Sequence, residues 1–372
     1  MGIEFLGIAG LNDGGETQAR SGASFDKDYT LRFARAHEDN GWDRILFAYH
    51  AGSPDPATAA AYIASNLDHL KILLAHRPNV SYPTYAAKVF ATLDEISNGR
   101  LNVHFITGGS TADQAAEGDH LTKDERYART GEYIQIVKKA WASTERFSHA
   151  GEFYQFEDFV SDIPPFAGHV PEVSFGGSSP AAYAIGAAEA DIYAVWGEPL
   201  ANTAEQIKTI TDAAAAAGRT SRPKIQVAFR PIIAPTEALA WEKAHEILGR
   251  IEKRAGGRSF APENAGSQRL LSIADSGDRF DRALWTRPAA VSGGQGNSNA
   301  LVGTPETVAA ALLDYVDLGV DILSARGYDF INDTIDFGRY VIPIVREEVA
   351  RRDAARATTE QAQSKEQQDD AA

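Results

Sequence analysis

Arg77, Arg230 and Arg326 each fall at the end of a short apolar run, and Arg287 follows in a Gly- and Ser-rich stretch. Arginine stays protonated and offers a planar fork, which suits bidentate pairing with phosphate, sulfonate or carboxylate. Several convergent arginines in an acidic chain point to a local anion pocket. Each could instead pair with a carboxylate of the chain, Asp55 or Asp329 in the case of Arg326. A second constellation is Phe175-Gly176-Gly177-Ser178-Ser179, running from an apolar run straight into a helical pattern. Its glycines would let the backbone approach a ligand, and free N–H groups and hydroxyls there could hold a phosphate. The same serines could simply cap the helix. Third, His50, His76 and His104 lie on three successive apolar runs. A metal-dependent hydrolase would need such ligands plus further Asp or His at later strand ends. No His-x-His pair is present, so we expect no metal.

The elements that must position these residues alternate. The clearest unit runs from Leu70 to Ser110: a strand, a turn with Pro78 and Pro83, and a helical pattern through Ala86, Val89, Phe90, Leu93 and Ile96. A stop at Asn98-Gly99 and a second strand ending at Thr107 complete it. Before it come a run at Ile3 to Ile8, a polar Gly-rich loop (10–24), a helix at about 27–40 and a strand ending in Tyr49-His50. After it come a helix at 126–142 and an aromatic hairpin at 147–162. Strands then end at Gly176, at Trp196 and at about Ile233, each followed by a helix. Thr304-Pro305-Glu306 caps a further helix, and a strand at 321–325 ends in Arg326-Gly327-Tyr328. Eight strand-and-helix units predict a (β/α)8 barrel over residues 1–350, whose strand ends share one rim. A doubly wound sheet is the alternative, but the first turn lacks the G-x-G-x-x-G fingerprint. Residues 254–303 break the pattern and are too long for an ordinary connection. They read as an insertion or lid, with Gly293 to Asn299 at its end. A last helix is expected to about Arg351, and residues 351–372 read as a disordered tail.

Composition narrows the function. With 372 residues, 44% of them hydrophobic and 23% charged, the chain can bury a large core. A formal net charge of -15 argues against nucleic acid or anionic membrane as a partner. No apolar run approaches the ~20 residues that span a bilayer, and the N-terminus lacks a signal-peptide pattern. A cytoplasmic location is the expectation. Cysteine is absent and the one methionine is Met1, so no disulfide or thiolate chemistry is available. Chance in an Ala-rich chain would account for that. So would synthesis under sulfur scarcity, or a reaction that handles peroxide.

At these residues the sequence resembles the bacterial luciferase-like flavin monooxygenases, in particular their alkanesulfonate monooxygenase branch. The resemblance covers nearly all of Phe5 to Ile344. It is carried by Arg77-Pro78, Ser81 with Pro83-Thr84, Ala91-Thr92-Leu93-Asp94, Ser97-Asn98-Gly99-Arg100 and Glu125-Arg126-Tyr127. Phe175 to Ser179, Trp196-Gly197-Glu198-Pro199, Ala300-Leu301-Val302-Gly303 and Gly327-Tyr328 carry the rest. It implies a (β/α)8 barrel with an insertion after the seventh strand. It further implies reduced FMN (FMNH2) as co-substrate, supplied by a separate NAD(P)H-dependent FMN reductase, and O2 as oxidant. The implied reaction oxidises a sulfonate at the carbon bearing sulfur and releases sulfite and an aldehyde. A homodimer or homotetramer is expected. Thr107, Tyr127, Ser178 and Ser179, with Gly177 in the same turn, fall where the family holds flavin and its phosphate. Trp196, Arg230 and Tyr328 fall around the pocket where substrate meets flavin. Arg326 is expected beside Arg230 on the sulfonate, Tyr328 in proton transfer, and His50, Arg77 and Arg287 about the substrate and lid.

The departures redraw the anion contacts. Pro54 stands at the family's cysteine after the second strand, and Leu11-Asn12 near its first-strand histidine. Arg230, Ala228 and Phe330 replace a histidine, an arginine and a histidine, and the lid arginine falls near Ser292. These changes favour a bulkier polar sulfonate, sulfoquinovose among the candidates. Rival readings are a luciferase-like monooxygenase of a sulfone or nitrogen compound, a deazaflavin-dependent oxidoreductase, and a non-catalytic flavin-binding protein.

Overall fold

A computed structural model describes residues 2–256, 261–294 and 299–369, the stretch after 358 as backbone. Eight parallel strands form the wall: β1 Glu4–Ile8, β2 Arg44–Phe47, β3 Lys71–His76, β4 Leu101–Phe105, β5 Val173–Gly176, β6 Ile192–Trp196, β7 Lys224–Ile233 and β8 Ile322–Ala325. Each pairs with the next in chain order, and β8 returns to β1 through Glu4↔Ile322 and Leu6↔Ser324. The sheet is closed, so the chain is the expected α/β barrel and the open-sheet alternative falls.

Alternation along the strands sorts the residues. Leu6, Leu46, Leu73, Ile192 and Ile322 form an apolar cluster of their own, the barrel interior. The opposite positions, such as Phe5, Ile45, Leu74, Phe105, Phe175 and Val227, join the large cluster that includes the surrounding helices. Period 2 on the strands and one apolar stripe per helix are what that arrangement requires. Among the described residues, no helix is long and apolar enough to cross a membrane.

The insertion is more structured than its composition suggests. It holds a helix at Ala265–Ser276, a two-residue pair Arg279–Phe280 with Leu284–Trp285, a short helix at Arg287–Val291 and a strand at Ala300–Gly303. That strand pairs in parallel with the outer half of β7, from Ala300↔Arg230 to Gly303↔Ile233. The inner half of β7 pairs with β8, from Ile322↔Gln226 to Ala325↔Phe229. Arg230 therefore lies where the two pairings part, three residues short of the end of a ten-residue strand. Of the Gly293 to Asn299 run, 295–298 lie outside the described residues. The chain's last helical region is two helices, Phe330–Tyr340 and Ile342–Asp369, the second continuing past the Arg351 where the sequence pattern ends it. A short helix at Thr111–Ala115, which the sequence pattern does not reveal, follows β4.

Candidate active site

The rim at the C-terminal ends of β7 and β8 brings Arg230 and Arg326 together, and a carboxylate sits between them. Arg230 is 3% exposed and donates to both oxygens of Glu16, Nη1 to Oε1 at 2.9 Å and Nη2 to Oε2 at 3.1 Å. Its Nη2 also donates to the Gly327 carbonyl at 3.1 Å. Arg326 Nη2 pairs with Glu16 Oε1. The partner of Arg326 is thus neither Asp55 nor Asp329. Asp55 caps the helix Pro56–Ala64 by accepting from Thr58 N at 2.7 Å, and Asp329 accepts from Asn332 at 2.8 Å. The Nε atoms of both arginines are buried and have no hydrogen-bond partner among the described residues.

Burial alone would raise the Glu16 carboxyl, but the two guanidiniums hold it down at about 2. Burial, then the neighbouring Arg230, lowers Arg326 to about 10, so it remains charged at neutral pH. Beside the triad, the Arg230 guanidinium lies 4.2 Å over the Tyr328 ring and that of Arg326 5.1 Å over Phe330, cation–π contacts that orient both forks. Asp333 fixes the turn carrying Tyr328. It accepts from Tyr328 N at 2.7 Å and Asp329 N at 2.9 Å and is itself paired with Lys243 at 2.8 Å.

Trp196 ends β6, and its register partner on β7 is Ala228, two residues before Arg230. Its ring comes within 3.6 Å of the point where a Cβ on Gly266 would lie, so the insertion helix packs directly against it. The insertion is anchored there by Arg269, whose fork meets both oxygens of the buried Glu198 at 2.8 and 2.7 Å. Buried Asn299 adds a bond to the Gly197 carbonyl at 2.9 Å. Glu263 reaches the other side of the mouth, accepting from Thr111 N at 2.9 Å and Thr111 Oγ at 2.6 Å.

The Gly177-Ser178-Ser179 turn and Tyr127 come together as expected. Gly177 has φ +141°, and a Cβ there would lie 2.8 Å from Ala182 Cβ and 3.4 Å from the Tyr127 hydroxyl. Only glycine fits that backbone and leaves the turn open. The two serines divide the readings between them. Ser179 caps the helix Pro180–Glu189, accepting from Ala182 N at 3.3 Å. Ser178 donates to Gln206 Oε1 at 3.0 Å, an oxygen that also accepts from Tyr183 at 3.0 Å. Gln206 is buried, and its Nε2 has no partner among the described residues. Thr107 lies buried just past β4. The next residue, Gly108 (φ +85°), is covered by the Gln114 amide.

The remaining predicted site residues are otherwise employed. Arg77, 2% exposed, pairs with Asp113 and with Glu117 at 2.8 Å and lies 4.9 Å over the Tyr49 ring. It thereby pins the Thr111–Ala115 helix to the rim. His50 is exposed and accepts from Gly52 N at 3.1 Å. Arg287 faces Glu252 at 3.8 Å, half-exposed on the insertion. His76 points outward to Tyr133 Oη at 2.8 Å and His104 meets Ser174 Oγ at 2.8 Å, so the three strand histidines do not converge. Sequence reasoning missed Glu16, Gln206, Asp333 and the Arg269–Glu198 pair. For Glu16 a signal existed: two buried rim arginines need a counter-charge.

A family model described as luciferase-like monooxygenase matches residues 6–322. Several solved structures are similar over almost the whole chain. The EDTA monooxygenase from Chelativorans sp. BNC1 is 18% identical, with 94% of each chain covered and a TM-score of 0.77. A riboflavin lyase, solved with modified FMN and riboflavin, is 21% identical, covering 94% of this chain and 92% of the other at a TM-score of 0.76. DmoA from Hyphomicrobium sulfonivorans is 20% identical, covering 94% and 89% at a TM-score of 0.75. At these identities the likeness speaks for the fold.

Proposed function

Because the chain belongs to the luciferase-like monooxygenase family, we propose that it is an FMNH2-dependent monooxygenase that uses O2 to cleave the C–S bond of an organosulfonate. The observation carrying this reading is the arginine pair on the rim, which already grips an oxyanion, the Glu16 carboxylate, through both forks. A sulfonate is ionised near pH 7 and needs such fixed positive partners when buried. The balanced reaction takes one oxygen atom into the aldehyde and the other into water. Carbon loses its bond to sulfur, and sulfite departs with the electron pair.

The residues fit a flavin phosphate on structural grounds. The open Gly177 turn sits at a helix N-terminus, Tyr127 stands beside it, and the buried Gln206 amide has a donor to spare. Reduced FMN, when bound, supplies the two electrons that activate dioxygen. The protein's part is placement. Ser178, held by Gln206, and the backbone of the turn would fix the phosphate. Arg230 and Arg326 would hold the sulfonate, and Trp196, under the insertion helix, would exclude water from the mouth. Tyr328 Oη is assigned the proton of the reaction. A separate NAD(P)H-dependent FMN reductase is the implied partner. Exposed Val80, Tyr82, Tyr85 and Ile96 along the edge of the helix Pro83–Ile96 support self-association.

A second reading, oxidation of an uncharged small molecule, draws support from Glu16 itself, which offsets one of the two positive charges. One assay separates them: sulfite release from a panel of sulfonates with FMN, NAD(P)H and a generic flavin reductase. Sulfite from at least one polar sulfonate is the expected result. No sulfite from any sulfonate, with flavin still oxidised by O2, would sink desulfonation and leave the second reading.

A further inference from the structure

Glu16 rides on a loop built to be separable from the barrel. Residues 11–26 leave and return at one point, Asp26 N bonding Leu11 O at 2.8 Å and Asn12 Nδ2 bonding Ser24 O at 2.8 Å. Within this Ω-shaped excursion the polar groups satisfy one another. Gly15 N donates to Gln18 O at 3.0 Å, Gln18 Nε2 to Asp13 O at 2.7 Å, and Ser21 N to Asp13 Oδ1 at 3.0 Å. Among the described residues, the hydrogen bonds from 13–23 to the barrel are those of Glu16 with Arg230 and Arg326. Beneath the loop is a cavity of about 280 Å³ lined by Asp13, Gly15, Gln18, Tyr29, Tyr328 and Phe330. The loop is thus internally knit, loosely seated and latched by one carboxylate.

We propose that Glu16 is a tethered occupant of the anion site, and that a substrate oxyanion binds Arg230 and Arg326 by displacing it and swinging the 11–26 loop outward. The proposal rests on the reading that this pair receives the substrate's anion. A carboxylate offers two oxygens to the pair, whereas a sulfonate offers three and can also reach the unpartnered Nε atoms. The tether makes Glu16 a competitor at high effective concentration. The site therefore stays shut to weak anions and opens to one that uses more of the available donors. Selectivity among anions then comes from the protein's own occupant as well as from the pocket wall.

The test uses the full-length protein and methanesulfonate as the probe, without flavin turnover. Glu16→Gln should bind methanesulfonate roughly ten-fold or more tighter than the unmodified protein, because the closed state no longer withholds the site. Saturating methanesulfonate should speed trypsin cleavage after Arg20, an exposed residue of the loop, in the unmodified protein. In Glu16→Gln that cleavage should be fast without any anion. Equal or weaker binding by Glu16→Gln would overturn the proposal. If that variant fails to fold, the unmodified protein decides alone: cleavage after Arg20 that is unchanged or slowed by the anion overturns it. A parallel FMN titration separates the two sources of a tetrahedral oxyanion. Tighter FMN binding with unchanged methanesulfonate binding would assign the pair to the flavin phosphate and overturn the substrate role. These are binding measurements, so a failure to release sulfite in turnover leaves their outcome intact.

Discussion

Both ends of the barrel are closed by ion networks, and the two differ in what carries the acids. At the N-terminal end Arg44, 1% exposed, donates to Glu4 at 2.6 Å and Glu172 at 2.8 Å. Lys71 completes Glu4 at 2.8 Å and Lys224 completes Glu172 at 2.7 Å. Four of these residues begin barrel strands and Glu172 immediately precedes β5, so every charge is fixed by the wall itself. At the C-terminal end one cation lies within β7 and the other immediately follows β8, but the acid arrives on a loop. Each network has one more cation than carboxylates, three against two and two against one. The first is a permanent plug. In the second, the component that can be exchanged is the anion. A buried ion pair is weak evidence for stability by itself, and where its members are anchored decides what it is for.

The largest effect that would break this comparison is at the plug. Arg44→Ala should cost about 3–5 kcal/mol of unfolding free energy, because two carboxylates lose their shared partner. Urea denaturation measures it, and methanesulfonate affinity should be unchanged. At the other end, Arg326→Ala should cost about 2–5 kcal/mol in anion binding, read by calorimetry, with a smaller loss of stability because that arginine is 19% exposed and shares its acid with Arg230. Comparable stability losses from both variants would erase the distinction.

A last effect concerns acid, and at the anion site it should be the smallest. Burial holds His76 at about 3 and His37 and His104 at about 4, so all three are neutral in the folded chain. Their folded values lie below the ordinary 6.5 or so, and the unfolded chain takes up protons first. Stability from this source is therefore complete above about pH 6.5 and is lost as pH falls toward 4 and 3. Glu16 stays ionised down to about 2. Unfolding free energy should accordingly decline through the mildly acidic range while methanesulfonate affinity stays flat from pH 5 to 7.5. A steep rise in affinity on acidification within that window would show that the latch can be released by protonation instead.

The barrel and its rim were legible because they are periodic. Alternating runs place Arg230 and Arg326 on adjacent strands before any coordinates are known. Tyr127, which meets the Gly177 turn, was legible only through the family resemblance. The two arginines called for a counter-charge, but that Glu16 supplies it was not legible, since a loop has no period and its partners are 214 and 310 residues away. Choosing between Ser178 and Ser179 needed geometry as well, because either could cap a helix opening at Pro180. Arg77 was read as a ligand residue because its partners, Asp113 and Glu117, sit in and just past a five-residue helix too short to leave an apolar stripe. The insertion looked structureless for a similar reason. Its elements are short, and its strand is recognisable only through pairing with the overlong β7.

Tyr328 packs with Ile232, Trp285, Ala300, Val302 and four residues of the helix Glu237–Ala255 in a cluster separate from the main core. The ring beside Arg230 therefore takes its packing from the insertion, β7 and one outer helix rather than from the main core. Small clusters open at lower cost than large ones. On warming, this patch should loosen while the barrel is still intact, taking the alignment of Tyr328 with it. If Tyr328 has the role proposed for it, heat inactivation should precede heat unfolding, and the first part to yield would lie around Trp285, outside the site it serves.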